Sequence, residues 1–129
     1  MVWFKNYELP NSFQAIHSDA RKHPENGLRK ELTCFLYMNE NSGYLEIWND
    51  DMSKCVHQIK PIKNRFVIFL NTDTSFHGVP KVKTVRNAIT WSILKDMKSS
   101  DRTKALFKSR PNDDDFGHLA KKRVKIPRS

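Results

Sequence analysis

The sequence predicts an all-β domain, a sandwich or jelly roll, and three observations carry that expectation. Between residues 1 and 94 apolar side chains recur with period 2 or in short unbroken runs, no helical stripe interrupts them, and turn residues punctuate them at short intervals. An alternating α/β layout would need helical segments between the strands, and the sequence shows none. Eight short strands in this span suit a closed two-sheet architecture.

The elements follow in order. Aromatic and β-branched residues mark Val2 to Tyr7 and Phe13 to His17, with Leu9-Pro10-Asn11-Ser12 as the turn between them. After the polar loop His23-Pro24-Glu25-Asn26-Gly27, a strand runs from Glu31 to Asn39, and Asn39-Glu40-Asn41-Ser42-Gly43 closes it. Tyr44 to Trp48 and Cys55 to Lys60 flank Asn49-Asp50-Asp51. Phe66 to Asn71, Ser75 to Val79 and Val85 to Leu94 complete the set, with Asn71-Thr72-Asp73-Thr74 between the first two. Residues 1–98 are thus expected to form one domain. Beyond it, residues 99–129 read as a short helix around 99–108 followed by a basic, mostly irregular tail.

The 129-residue chain carries 23 basic and 14 acidic side chains, a formal charge of +9. Such a charge ordinarily points to nucleic acid or another anionic surface, so its location matters. From Arg102 to Ser129 there are 9 basic and 3 acidic residues, which places +6 in the tail and leaves +3 for the body. The body therefore needs no nucleic-acid partner to explain it. Lys121-Lys122-Arg123-Val124-Lys125 could contact phosphates, meet an acidic protein or serve solubility. Cys34 and Cys55 lack the spacing of a zinc or redox motif and are expected as small buried groups in a reducing compartment. No apolar run is long enough for a signal peptide or a membrane span, so a cytoplasmic location is expected.

The motif that carries chemistry is His17-Ser18-Asp19. In a strand, residues i and i+2 project to one face, about 6 to 7 Å apart along the chain, so imidazole and carboxylate converge. A third ligand must come from elsewhere, and His77, in the short apolar segment Ser75-Phe76-His77-Gly78-Val79, is the best placed of the other histidines. Two histidines and one carboxylate with open positions form the facial triad of non-haem Fe(II) oxygenases. In the last strand, Val85, Asn87, Ile89, Trp91 and Ile93 share one face, expected as bulky core. Arg86, Ala88, Thr90 and Ser92 share the other, where a guanidinium beside small side chains reads as an anion clamp with room for a ligand. His23 is expected in solvent, His57 on a sheet face, and His118 with Asp113, Asp114 and Asp115 in the solvated tail.

From Gln14 to Leu94 the chain resembles the Fe(II)- and 2-oxoglutarate-dependent dioxygenases, specifically their prolyl-4-hydroxylase-like branch with its small phage and bacterial members. His17-Ser18-Asp19 matches the HxD motif, Leu32 to Asn39 resembles the "T-x-x-x-Y-L-N" strand, and Ser42 to Ile47 resembles "GG-x-L" with a single glycine. Ile59 to Phe69 resembles "I-x-P-x-x-x-R-x-x-x-F", Ser75 to Val79 the distal histidine motif, and Arg86 to Thr90 the cosubstrate arginine strand. Ser92 stands where nucleic-acid demethylases place a second arginine, which speaks against nucleobase repair. Only 16 residues precede His17, where relatives carry a longer helical segment, so an N-terminally short domain is expected.

The resemblance implies a double-stranded β-helix (jelly roll) in which His17, Asp19 and His77 hold Fe(II). It implies that Arg86 and Tyr37 bind the distal carboxylate of 2-oxoglutarate, with Thr90 and Thr33 lining the pocket. Thr33, Phe35 and Tyr37 share one strand face, in agreement. The implied reaction consumes O2 and 2-oxoglutarate, yields succinate and CO2, and hydroxylates a prolyl or other side chain of a protein or peptide, with ascorbate in support. It requires no general acid or base beyond the metal site. The alternative is a catalytically silent jelly-roll binding module whose basic tail contacts nucleic acid or an acidic partner. Neither expectation includes a membrane, and oligomeric state is not legible.

Overall fold

The computed structural model describes residues 2–7, 13–98, 105–110 and 124–125. Ten strands run in chain order: β1 (Val2–Tyr7), β2 (Gln14–Ser18), β3 (Leu28–Tyr37), β4 (Leu45–Trp48), β5 (Cys55–Ile59), β6 (Phe66–Leu70), β7 (His77–Val79), β8 (Arg86–Lys98), β9 (Leu106–Lys108) and β10 (Val124–Lys125). They form a four-stranded sheet in the order β1-β8-β3-β6 and a six-stranded sheet in the order β10-β9-β2-β7-β4-β5. Phe35, Tyr37, Val67 and Ala88 of the first sheet pack with Leu45 and Val79 of the second, so the core lies between them. Full burial of side chains such as Leu45 and Val79 contributes roughly 1.5 to 3 kcal/mol each. A second cluster of Ile16, Met52 and Phe76, flanked by Trp48 and Leu106, packs separately.

Local chemistry explains the strand ends. Asn49 closes the β4–β5 hairpin, its side-chain carbonyl accepting from the backbone N–H groups of Ser53 and Lys54. Ser75 belongs to the turn before β7, because its hydroxyl donates to the Thr72 carbonyl at 3.0 Å, and β7 therefore begins at His77. Gly27, at φ 71°, lets its N–H reach back to the His23 carbonyl at 2.9 Å. That tight loop, closed by the bridge between Lys22 and Arg29, encloses His23. His23 is only 5% exposed, contrary to the solvent position expected for it.

Two further expectations are corrected. Leu106–Lys108 is strand β9, not helix, because it pairs antiparallel with β2 through Ile16 opposite Lys108 and Ser18 opposite Leu106. The remainder of the expected helix, 99–104, lies outside the described residues, as do His118 and the acidic triplet of the tail. The bulky face of the last strand is also not core. Ile93 and the preceding Val85 are each 44% exposed, while Arg86, Ala88 and Thr90 on the other face are buried. Cys34 is buried as expected, Cys55 only in part.

The bulky residues of β8 join an apolar block on the outside of the four-stranded sheet. In register across β8, β3 and β6 stand Ile93, Leu32 and Leu70, then Trp91, Cys34 and Ile68, then Ile89, Leu36 and Phe66. Phe66 stacks on Trp91 with ring centroids 5.5 Å apart. Phe66, Ile68 and Leu70 remain 50, 48 and 59% exposed. No helix among the described residues is long and apolar enough to cross a membrane.

Candidate metal centre

Strands β2 and β7 are neighbours, and their antiparallel register sets His17 opposite His77. The two rings lie with centroids 4.2 Å apart. Asp19 leaves the end of β2 and folds its carboxylate back toward both, 3.3 Å from His17 Nε2 and 3.8 Å from His77 Nε2. One ligand atom from each of the three residues lies within 4.8 Å of the others. The spacing argument for His17 and Asp19 and the choice of His77 thus converge on one point.

Both rings are held in the form a metal needs. His17 Nδ1 lies 2.8 Å from the Ala15 carbonyl and His77 Nδ1 lies 2.9 Å from the Ser75 carbonyl. A carbonyl oxygen can only accept, so each Nδ1 carries a proton and each Nε2 faces the cluster, where it meets Asp19 or would present its lone pair to a metal. Thr33 donates its hydroxyl to Asp19 Oδ2 at 3.4 Å, orienting the third ligand. Burial opposes ionisation of Asp19, but the hydrogen bond from His17 and the charges of His77, His17 and Lys30 outweigh it. The carboxyl is therefore held well below the usual carboxylate range. Two imidazole Nε2 atoms and one ionised carboxylate aimed at a common point form a donor set that fits Fe(II), the Nε2 protons leaving as the metal binds.

The cluster opens onto a cavity of about 170 Å³ lined also by Gln14, Lys30, Thr33, Phe35, Thr90, Trp91 and Ser92. Phe69 meets the edge of His77 with centroids 4.7 Å apart and shields it on one side. Thr33 and Thr90 are among the residues that line this cavity. Tyr37 and Arg86 stand two residues or more further along the same faces of β3 and β8, both buried. The Arg86 guanidinium lies 5.5 Å from the centre of the Tyr37 ring, and its Nε donates to the Gly43 carbonyl at 3.4 Å. A Cβ at Gly43 would stand 2.5 Å from Arg86 Cδ, so the single glycine of the "GG-x-L" resemblance is the groove in which the arginine stem lies.

Lys30, Gln14 and Trp91 are the cavity residues that the sequence did not disclose. Gln14 reaches the same cavity as His17 because the register between β2 and β7 shifts in the interval between them. A strict period-2 pattern gives no sign of such a bulge.

The family model described as the 2OG-Fe(II) oxygenase superfamily matches residues 2–93. The chain belongs to that superfamily. Among solved structures, a prolyl-4-hydroxylase from Pseudomonas putida matches with a TM-score of 0.57 at 19% identity, over 76% of this chain and 53% of that one. A prolyl hydroxylase from Trichoplax adhaerens, solved in complex with a hypoxia inducible factor oxygen degradation domain peptide fragment, matches with a TM-score of 0.57 at 23% identity. That match covers 71% of this chain and 42% of the other. The chain thus shares the fold of these enzymes and spans about half the length of each or less. No curated protein sequence matches it.

Proposed function

We propose that the protein is a mononuclear Fe(II)- and 2-oxoglutarate-dependent dioxygenase that hydroxylates a prolyl side chain in a protein or peptide. The observation that carries the reading is the convergence of His17, Asp19 and His77, with both imidazoles locked by Nδ1 hydrogen bonds, at the wall of a cavity. These three residues would hold Fe(II). When bound, Fe(II) and 2-oxoglutarate supply the oxidising chemistry, in which O2 is consumed, succinate and CO2 leave, and one oxygen atom is inserted into a C–H bond of the substrate.

The chain's own residues bind and orient. Arg86, with its planar fork, and Tyr37, with its phenol, would take the distal carboxylate at the deep end of the core. Ala88 and Thr90, small and buried between Arg86 and the metal ligands, leave room there for the ligand's chain. Thr33 holds Asp19, while Phe35 and Phe69 give His77 a dry flank. No side chain is needed to carry a proton. The prolyl substrate rests on the likeness to the two prolyl hydroxylases, one of them solved with a peptide.

The test is succinate formation from 2-oxoglutarate with Fe(II) and ascorbate in the presence of prolyl peptides. The chain should turn over, and His77→Ala should fall to background. Equal, background-level succinate from both proteins would overturn the proposal.

A further inference from the structure

Arg110, beyond β9, crosses the outside of the six-stranded sheet at its three central strands. Its Nε donates to Glu46 Oε1 on β4 at 2.9 Å, and its Nη2 forms an ion pair with the same oxygen. Its Nη1 donates to the Gln14 carbonyl on β2 at 3.0 Å. Between them lies β7, where Gly78 stands opposite Glu46. A Cβ at Gly78 would come within 2.6 Å of Arg110 Nη2 and 2.9 Å of the Gln14 oxygen, so the residue after His77 has no side chain where the guanidinium passes.

This contact sits at the weak point of the metal centre. The register of β2 on β7 shifts between Gln14 and His17, and a bulge leaves the ladder locally incomplete. The Ala15 carbonyl, which fixes the His17 ring, lies inside that interval. Hence the position of His17 relative to His77 depends on its pairing with β7 and β9 and also on how the adjoining bulge is held. Glu46 is a buried carboxylate on the face away from the cavity, also accepting from Trp48 Nε1 at 3.3 Å. A buried ion pair is poor value for stability against apolar packing, but it does select one strand arrangement.

Resting on the metal reading above, we infer that Arg110 is a positioning residue that clamps the bulged β2 against β7 and β4 and so sets His17 and His77 at metal-binding separation. The test uses the full chain loaded with Co(II), whose d–d absorption reports ligand geometry. Arg110→Ala should weaken Co(II) binding about 10-fold, at the lower end of the effect of outer-shell partners, and shift the d–d bands at a temperature where the protein is folded. Arg110→Lys, which keeps the charge but loses the fork, should recover only part of the affinity. If Arg110→Ala does not fold, Glu46→Gln reads the same contact by removing the carboxylate that Arg110 pairs with and should shift the bands likewise. Folded variants with the wild-type spectrum and affinity would overturn the clamp alone. A wild-type chain that binds no Co(II) would overturn the metal reading and the clamp with it.

Discussion

The two faces of the four-stranded sheet are built on opposite principles. The inner face sets the apolar Phe35, Val67 and Ala88 beside Thr33, Tyr37, Arg86 and Thr90, whose polar groups are buried with them. The outer face, with Leu32, Leu36, Phe66, Ile68, Leu70, Ile89, Trp91 and Ile93, is apolar yet partly or largely exposed. Polar groups thus enter the interior while apolar ones face out, a departure from usual sheet logic that the proposed charged ligand would account for.

Breaking the inner face should have the larger effects. Arg86→Gln removes a buried cation, and 2-oxoglutarate binding measured by calorimetry with Mn(II) present should weaken by roughly 100-fold, as expected for losing one partner of a buried charge pair. A change below threefold would detach Arg86 from the cosubstrate. Next in size is a matched pair of substitutions. Ala88→Leu overfills the interior and should cost about 1 to 3 kcal/mol in denaturant unfolding, whereas Leu70→Lys on the outer face should stay within about 0.5 kcal/mol and raise solubility. Equal costs would erase the contrast between the faces.

The smallest effect concerns Asp19. Its carboxyl is held below the usual range in the fold, so the stability it contributes is present above its unfolded value near pH 4 and is lost as pH falls toward the folded value. Urea midpoints of the metal-free chain and of Asp19→Asn should therefore differ at pH 5, with the native chain the more stable, and begin to draw together as pH falls below about 4. A gap that widens in acid would reverse the sign.

What was legible in the sequence was local. Alternation and turn chemistry located β2 to β8 to within a few residues, and HxD spacing brought His17 and Asp19 to one point. What was illegible depended on distant partners. Periodicity separates the two faces of β8 but cannot say which one meets the other sheet. Leu106-Phe107-Lys108 has no strand pattern of its own and is a strand only because β2 accepts it. His23 is buried by a bridge between Lys22 and Arg29, and Arg110 finds Glu46 and Gln14 at sequence separations of 64 and 96. Nothing near Arg110 in the chain announces either contact.

The pairing of His17 with His77 also makes the metal a judge of folding. A slip of β2 by one residue would turn every β2 side chain to the opposite face, and the bulge after Gln14 is where such a slip would be absorbed. A slipped chain would lack the metal centre, so a divalent cation stabilises the native register alone, by about 2.7 kcal/mol at a concentration 100 times its Kd. Metal present during refolding would thus raise the yield of correctly threaded protein even before any cosubstrate is added.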